Sequence, residues 1–100
     1  MIKRIVKMKF RQENIAVFEQ MFNEHKDKIR SFDGCTHLEL WQDKSDPRTF
    51  FTYSHWNTEN SLDVYRKSEL FRSVWSRTKA LFKEKPEAWS VELIARGSEL

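Results

Sequence analysis

Histidine, tyrosine and tryptophan carry whatever chemistry this chain of 100 residues can perform, because no other reactive set falls at a usable spacing. His37 and His55 lie in two alternating segments joined by a short turn, which lets their imidazoles approach each other across a sheet. Histidine is the side chain whose unperturbed pKa lies closest to neutrality, so either ring could act as a base. Tyr53 stands two positions before His55 and shares its side of the strand. Tyr65 and Trp75 are ten positions apart, roughly 80° around a regular helix at about 100° per residue, so both can line one pocket. His25 falls on the apolar stripe of an earlier helical segment. The candidates for catalysis are therefore His37, His55 and Tyr65, and those for ligand binding are Tyr53, Tyr65, Trp75 and His25. A bulky aromatic wall of this kind is either plain core or the lining of a pocket for an aromatic ligand.

Other chemistries drop out. No serine sits in a glycine-flanked elbow, and the H-E-x-x-H and C-x-x-C patterns are missing. Two glycines cannot build a phosphate-binding loop. Cys35 is alone, which excludes an intramolecular disulfide, and nothing near it has metal-ligand spacing. Metal and nucleotide enzymes therefore drop out. The net charge of +3 comes from 18 basic and 15 acidic residues spread along most of the chain, a weak case for nucleic acid. Phe51, Tyr53 and His55 alternate as in an RNA-binding sheet, but the glycine-containing RNP1 pattern is missing. No apolar run approaches a membrane span, and the N-terminal segment lacks the apolar core of a signal peptide. The expectation is a protein of the reducing cytoplasm.

The elements that must hold these side chains are readable from periodicity. Residues 2–10 alternate as a first strand, in which Lys3, Arg4, Lys7 and Lys9 are set among Ile5, Val6, Met8 and Phe10. Over 12–32, Ile15, Phe18, Met21, Phe22, Ile29 and Phe32 recur at helical spacing, and Asp33-Gly34 ends that helix. Alternation returns over 36–42, with Leu38 and Leu40 opposed to His37, Glu39 and Trp41. Ser45, Asp46 and Pro47 favour a turn, so 49–56 pairs back as a hairpin. Asn57 or Thr58 caps a second helical stretch that runs to about Phe82, and Ser68-Glu69 supplies a fresh cap where a bend is expected. Ala88 to Ala95 alternate as a last strand. Glu39 and Glu92 are expected to pair across strands with the basic first strand.

The order β-α-β-β-α-β predicts an α+β, ferredoxin-like domain over residues 1–100, with its core at about 2–96 and two helices on one face of a four-stranded antiparallel sheet. The opposite face would present part of Ile5, Phe51, Tyr53, Trp41 or Ile94. Pairing two sheets face to face hides such a surface, so a homodimer is expected.

The strand ending in Trp56, the segment Asn57-Thr58-Glu59-Asn60-Ser61-Leu62, the segment Tyr65-Arg66-Lys67-Ser68-Glu69-Leu70-Phe71 and the earlier Phe32-Asp33-Gly34-Cys35 together resemble the antibiotic biosynthesis monooxygenase (ABM) family. The resemblance implies a dimeric α+β barrel with a ligand cavity between helices and sheet. It also implies monooxygenation of a small hydroxylated aromatic or quinol by molecular oxygen without cofactor, or a non-catalytic binding or stress-related protein of the same fold. Such oxygenation needs a dry pocket and a base for the phenolic proton, roles that would fall to His37, His55 or Tyr65. Another branch of the family degrades haem with an Asn, a Trp and an iron-ligating His. Aligned on Trp56, Ser68 and Phe71, this chain has Val6, Tyr65 and Trp75 there, so the resemblance does not extend to haem degradation.

Overall fold

The computed structural model describes residues 1–98. Strand β1 (Ile2–Lys9) leads through a 3-10 turn (Gln12–Asn14) into helix α1 (Ile15–Arg30). Strands β2 (Cys35–Gln42) and β3 (Thr49–Trp56) form the predicted hairpin, and helices α2 (Glu59–Arg66) and α3 (Glu69–Lys79) precede strand β4 (Glu87–Val91). The sheet order is β2-β3-β1-β4 with every pair antiparallel, which is the ferredoxin-like arrangement expected from the element order.

Each junction has a local cause. Gly34 takes φ +89°, a backbone conformation that glycine enters without steric cost, and its carbonyl accepts from the Asn57 amide at 2.8 Å. The hairpin turn is held by Asp46, whose carboxylate accepts from the Arg48 amide at 3.1 Å and lies 3.2 Å from Lys9 Nζ on β1. The long second helix breaks where Ser68 was expected to break it. The Ser68 hydroxyl accepts from the Phe71 amide at 3.1 Å and donates to the Tyr65 carbonyl at 2.6 Å, so it ends α2 and starts α3 at once.

Three boundaries differ from the sequence reading. Helix α3 stops at Lys79 rather than near Phe82, because Phe82 pairs with Phe10 in an isolated antiparallel bridge. The helix expected over 12–32 begins as a 3-10 turn and ends at Arg30. Strand β4 ends at Val91, which pairs with Lys3 near the start of β1, so Ile94 lies beyond the sheet and is 91% exposed. Glu92 likewise lies past the strand, and Glu39 bonds His37 and Trp41 on its own strand; neither makes the expected pair with β1.

The helices cover one sheet face. Met8 and Phe10 from β1 and Phe50 from β3 bury against Phe18 and Met21 of α1, while Ile2, Cys35 and Trp56 bury against Leu62 of α2. The other face carries three cross-strand rows: Val91, Lys3, His55 and His37; Trp89, Ile5, Tyr53 and Glu39; Glu87, Lys7, Phe51 and Trp41. Trp41 and Trp89 on this face are 41% and 43% exposed.

Candidate functional site

Between the helices and the covered sheet face lies a hollow of about 260 Å³. Its floor is Val6 and Met8 of β1 with Thr52 and Ser54 of β3; its walls are Met21 and His25 of α1 and Tyr65, Phe71 and Trp75 of α2 and α3. The rings run in a chain over the hollow. Trp56 stacks on Tyr65 at 4.8 Å between centroids, Tyr65 meets Phe71 edge-on at 5.3 Å, Phe71 stacks on Trp75 at 5.8 Å, and Trp75 meets Phe82 at 5.6 Å. Such spacings fall in the range where aromatic pairs attract, so the wall is held by its own contacts.

The break at Ser68 determines how two of these rings reach the hollow. Tyr65 and Trp75 do not sit on one regular helix as the 80° argument assumed; Tyr65 belongs to α2 and Trp75 to α3, and the turn between the helices aims both inward.

Polar groups on the lining are few and mostly satisfied. The Trp56 indole donates to the Ser54 hydroxyl at 3.0 Å, and the Thr78 hydroxyl donates to the Val74 carbonyl at 2.7 Å. Burial pushes the Tyr65 phenol well above its ordinary pKa, with the Cys35 sulfur nearby adding to the effect. Tyr65 therefore stays protonated and can donate a hydrogen bond but is a poor base. His25 is different. Its Nδ1 lies 2.8 Å from the Met21 carbonyl oxygen, and a carbonyl can only accept, so Nδ1 carries a proton and, in the neutral ring, the lone pair sits on Nε2.

The remaining sequence candidates stand elsewhere. His37, His55 and Tyr53 lie on the opposite sheet face, where alternation points them away from the hollow. There they form a cluster of their own. The His37 and His55 rings are 4.7 Å apart, Tyr53 meets His55 edge-on at 4.9 Å and stacks on Trp41 at 4.7 Å, and Glu39 accepts from the Trp41 indole at 2.7 Å and bonds His37. Burial, the neighbouring His37 and the Lys3 ammonium all lower the His55 pKa, while Glu39 opposes them. Of the sequence-assigned binding residues, Tyr65, Trp75 and His25 meet at the hollow and Tyr53 does not.

Two residues of the lining escaped the sequence reading. Arg4 of β1 and Arg66 at the end of α2 both border the hollow. Arg4 was read only as part of a basic, solvated strand; its position between the inward Ile2 and Val6 is the signal that would have found it. Among the described residues no group of histidine, cysteine, aspartate or glutamate could hold a metal ion, and no helix is long and apolar enough to cross a membrane.

Solved structures share this architecture. A crystal structure described as an antibiotic biosynthesis monooxygenase superposes with a TM-score of 0.88 at 21% identity, covering 95% of this chain and 100% of its own. A conserved protein from Methanosarcina mazei Go1 gives 0.86 at 18% identity over 90% of this chain and 89% of its own. The protein Rv0793 from Mycobacterium tuberculosis gives 0.86 at 13% identity over 97% and 98%. At these identities the likeness establishes the fold. A comparison with curated proteins gave no match. The sequence itself matches the family model for antibiotic biosynthesis monooxygenase over residues 1–75, most of its length, and the chain belongs to that family.

Proposed function

We propose that this protein is a cofactor-independent monooxygenase whose substrate, a small hydroxylated aromatic or quinol, occupies the hollow between helices and sheet. The observation that carries this reading is the ring-lined hollow of about 260 Å³, which is apolar over most of its wall and of a size suited to a single-ring substrate. His25 is the base in this scheme. Its Nε2 takes the phenolic proton, and the Met21 carbonyl bond at Nδ1 stabilises the resulting imidazolium. The electron-rich phenolate then reduces dioxygen. One oxygen atom enters the ring and the other leaves as water, so that hydroquinone and dioxygen give hydroxybenzoquinone and water with every electron drawn from the substrate. Tyr65, protonated and half-buried, donates to the developing oxyanion.

Membership of the family and the exposed indoles of Trp41 and Trp89 support a homodimer joined through the open sheet faces. A reducing cytoplasm suits the free, buried Cys35 thiol.

Oxygen uptake with a panel of dihydroxyarenes tests the enzyme reading. Turnover that falls at least tenfold in His25→Gln is expected; turnover unchanged by that substitution removes His25 from the mechanism. The second reading, a non-catalytic binding or stress-related protein of the same fold, is favoured by the removal of His37 and His55 from the hollow, which leaves His25 as its one histidine among the described residues. Ligand binding without oxygen uptake would establish it instead.

A further inference from the structure

The hollow is apolar over most of its wall, yet two arginines, Arg4 and Arg66, belong to its lining. Arg4 Nη1 donates to the Ser90 hydroxyl at 3.0 Å, a neutral partner. Among the described residues neither Arg4 nor Arg66 has a carboxylate within ion-pair distance. Asp63 lies near enough to Arg4 to act on it through space but does not bond it, and Glu87, the one carboxylate on the lining, faces Lys7 across the β1–β4 ladder. The other titratable groups on the wall are His25 and Tyr65, which add no negative charge near neutrality. Burial and the charge of Arg66 make the Arg4 cation less favourable than it would be in water. Two like charges bordering one partly desolvated space repel each other, and an anion placed between them reverses that cost.

We propose that the ligand of this hollow is an aromatic ring bearing a carboxylate, which Arg4 and Arg66 hold while Tyr65, Phe71 and Trp75 take the ring. This rests on the reading of the hollow as a ligand site and adds its charge selectivity. Guanidinium is suited to the task because its planar fork pairs with two oxygens at once and stays charged at any physiological pH. The stacked Phe71 and Trp75 rings supply flat apolar surface on the same lining, so a ligand oriented by its anion has its ring already placed.

Binding of gentisate and of hydroquinone to the full chain, followed by tryptophan fluorescence, tests the assignment, since gentisate adds a carboxylate to the same dihydroxybenzene. Gentisate is expected to bind about tenfold to a hundredfold more tightly, as one or two charged hydrogen bonds would give. Arg66→Gln and Arg4→Gln should each lower gentisate affinity by about tenfold and remove most of its advantage over hydroquinone. Arg66 is exposed, so its replacement does not threaten the fold. Gentisate, a carboxylate throughout, is expected to hold a level affinity from about pH 6 to about pH 9; affinities that instead climb for both rings toward the phenol pKa near 10 would place the charge on the phenol and overturn the carboxylate. Equal affinity for the two rings across that range, or a gentisate preference that survives both substitutions, overturns the charge assignment alone. Failure of both rings to bind overturns the ligand-site reading and this inference together.

Discussion

Gly34 and Ser61 approach so closely that a methyl group on the glycine would meet the Ser61 Cβ and Oγ at 2.5 Å. The contact presses the turn after α1 onto the first turn of α2, where Thr58 caps the helix by accepting from the Ser61 amide at 3.0 Å. Ser61 cannot swing away without disturbing that cap. Gly34→Ala therefore meets both a crowded neighbour and a positive φ, and it should destabilise the protein by about 1–3 kcal/mol. Urea unfolding checks this; a midpoint equal to that of the parent would mean the turn relaxes freely.

Ser68→Ala should cost about 1 kcal/mol, the usual loss for an N-cap hydroxyl. The consequence reaches the hollow, because the Phe71 amide it satisfies belongs to a wall residue. Thermal unfolding measures the stability change, and Ser68→Thr, which keeps the oxygen, should restore most of it.

The pH dependence of stability has a distinct alkaline limb. Burial raises the Tyr65 pKa above 10.0, so the folded state holds its proton where the unfolded chain releases it. The Cys35 thiol, raised from 9.0 chiefly by burial, behaves the same way. Both contributions are complete below the unfolded values and are lost as pH rises from them through the higher folded values, beginning first for Cys35 and then for Tyr65. Tyr65→Phe should flatten the slope of stability against pH above about pH 10. An unaltered slope would show that other groups govern it.

His55 acts at the other end. Its folded pKa lies below 6.5, so between the folded and unfolded values the unfolded chain binds more protons and stability falls as pH drops. Urea midpoints at about pH 7.5 and about pH 5.5 should differ less in His55→Gln than in the parent.

The open sheet face yields the oligomer test. Trp89→Glu places a carboxylate among Ile5 and Tyr53 in the central row of that face. Sedimentation at micromolar concentration should show dimer for the parent and monomer for the variant. A parent that sediments as monomer would remove the sheet-to-sheet arrangement.

The sequence carried the elements better than the faces. Alternation and helical spacing located every strand, and Asp33-Gly34 and Ser68-Glu69 marked two breaks by chemistry that acts within a few residues. Strand β3 shows where local pattern fails. Phe50 and Trp56 point one way, Phe51 and Tyr53 the other, so both faces read as apolar, and only the packing of Phe18 and Met21 against Phe50 decides which is covered. That decision placed His25 at the hollow and put Tyr53, His37 and His55 behind the sheet. The ends of α3 and β4 were overrun for a related reason. Apolar spacing continues through Phe82 and Ile94, but helix and ladder stop where long-range partners do, at the Phe10 bridge and at Lys3.

The interruption at Ser68 has a mechanical side. Tyr65 and Trp75 ride on two short rods joined at a single capped corner, where the Tyr65 carbonyl accepts from both the amide and the hydroxyl of Ser68. Because Tyr65 meets Phe71 edge-on and Phe71 stacks on Trp75, a tilt of either rod is passed to the ring on the other.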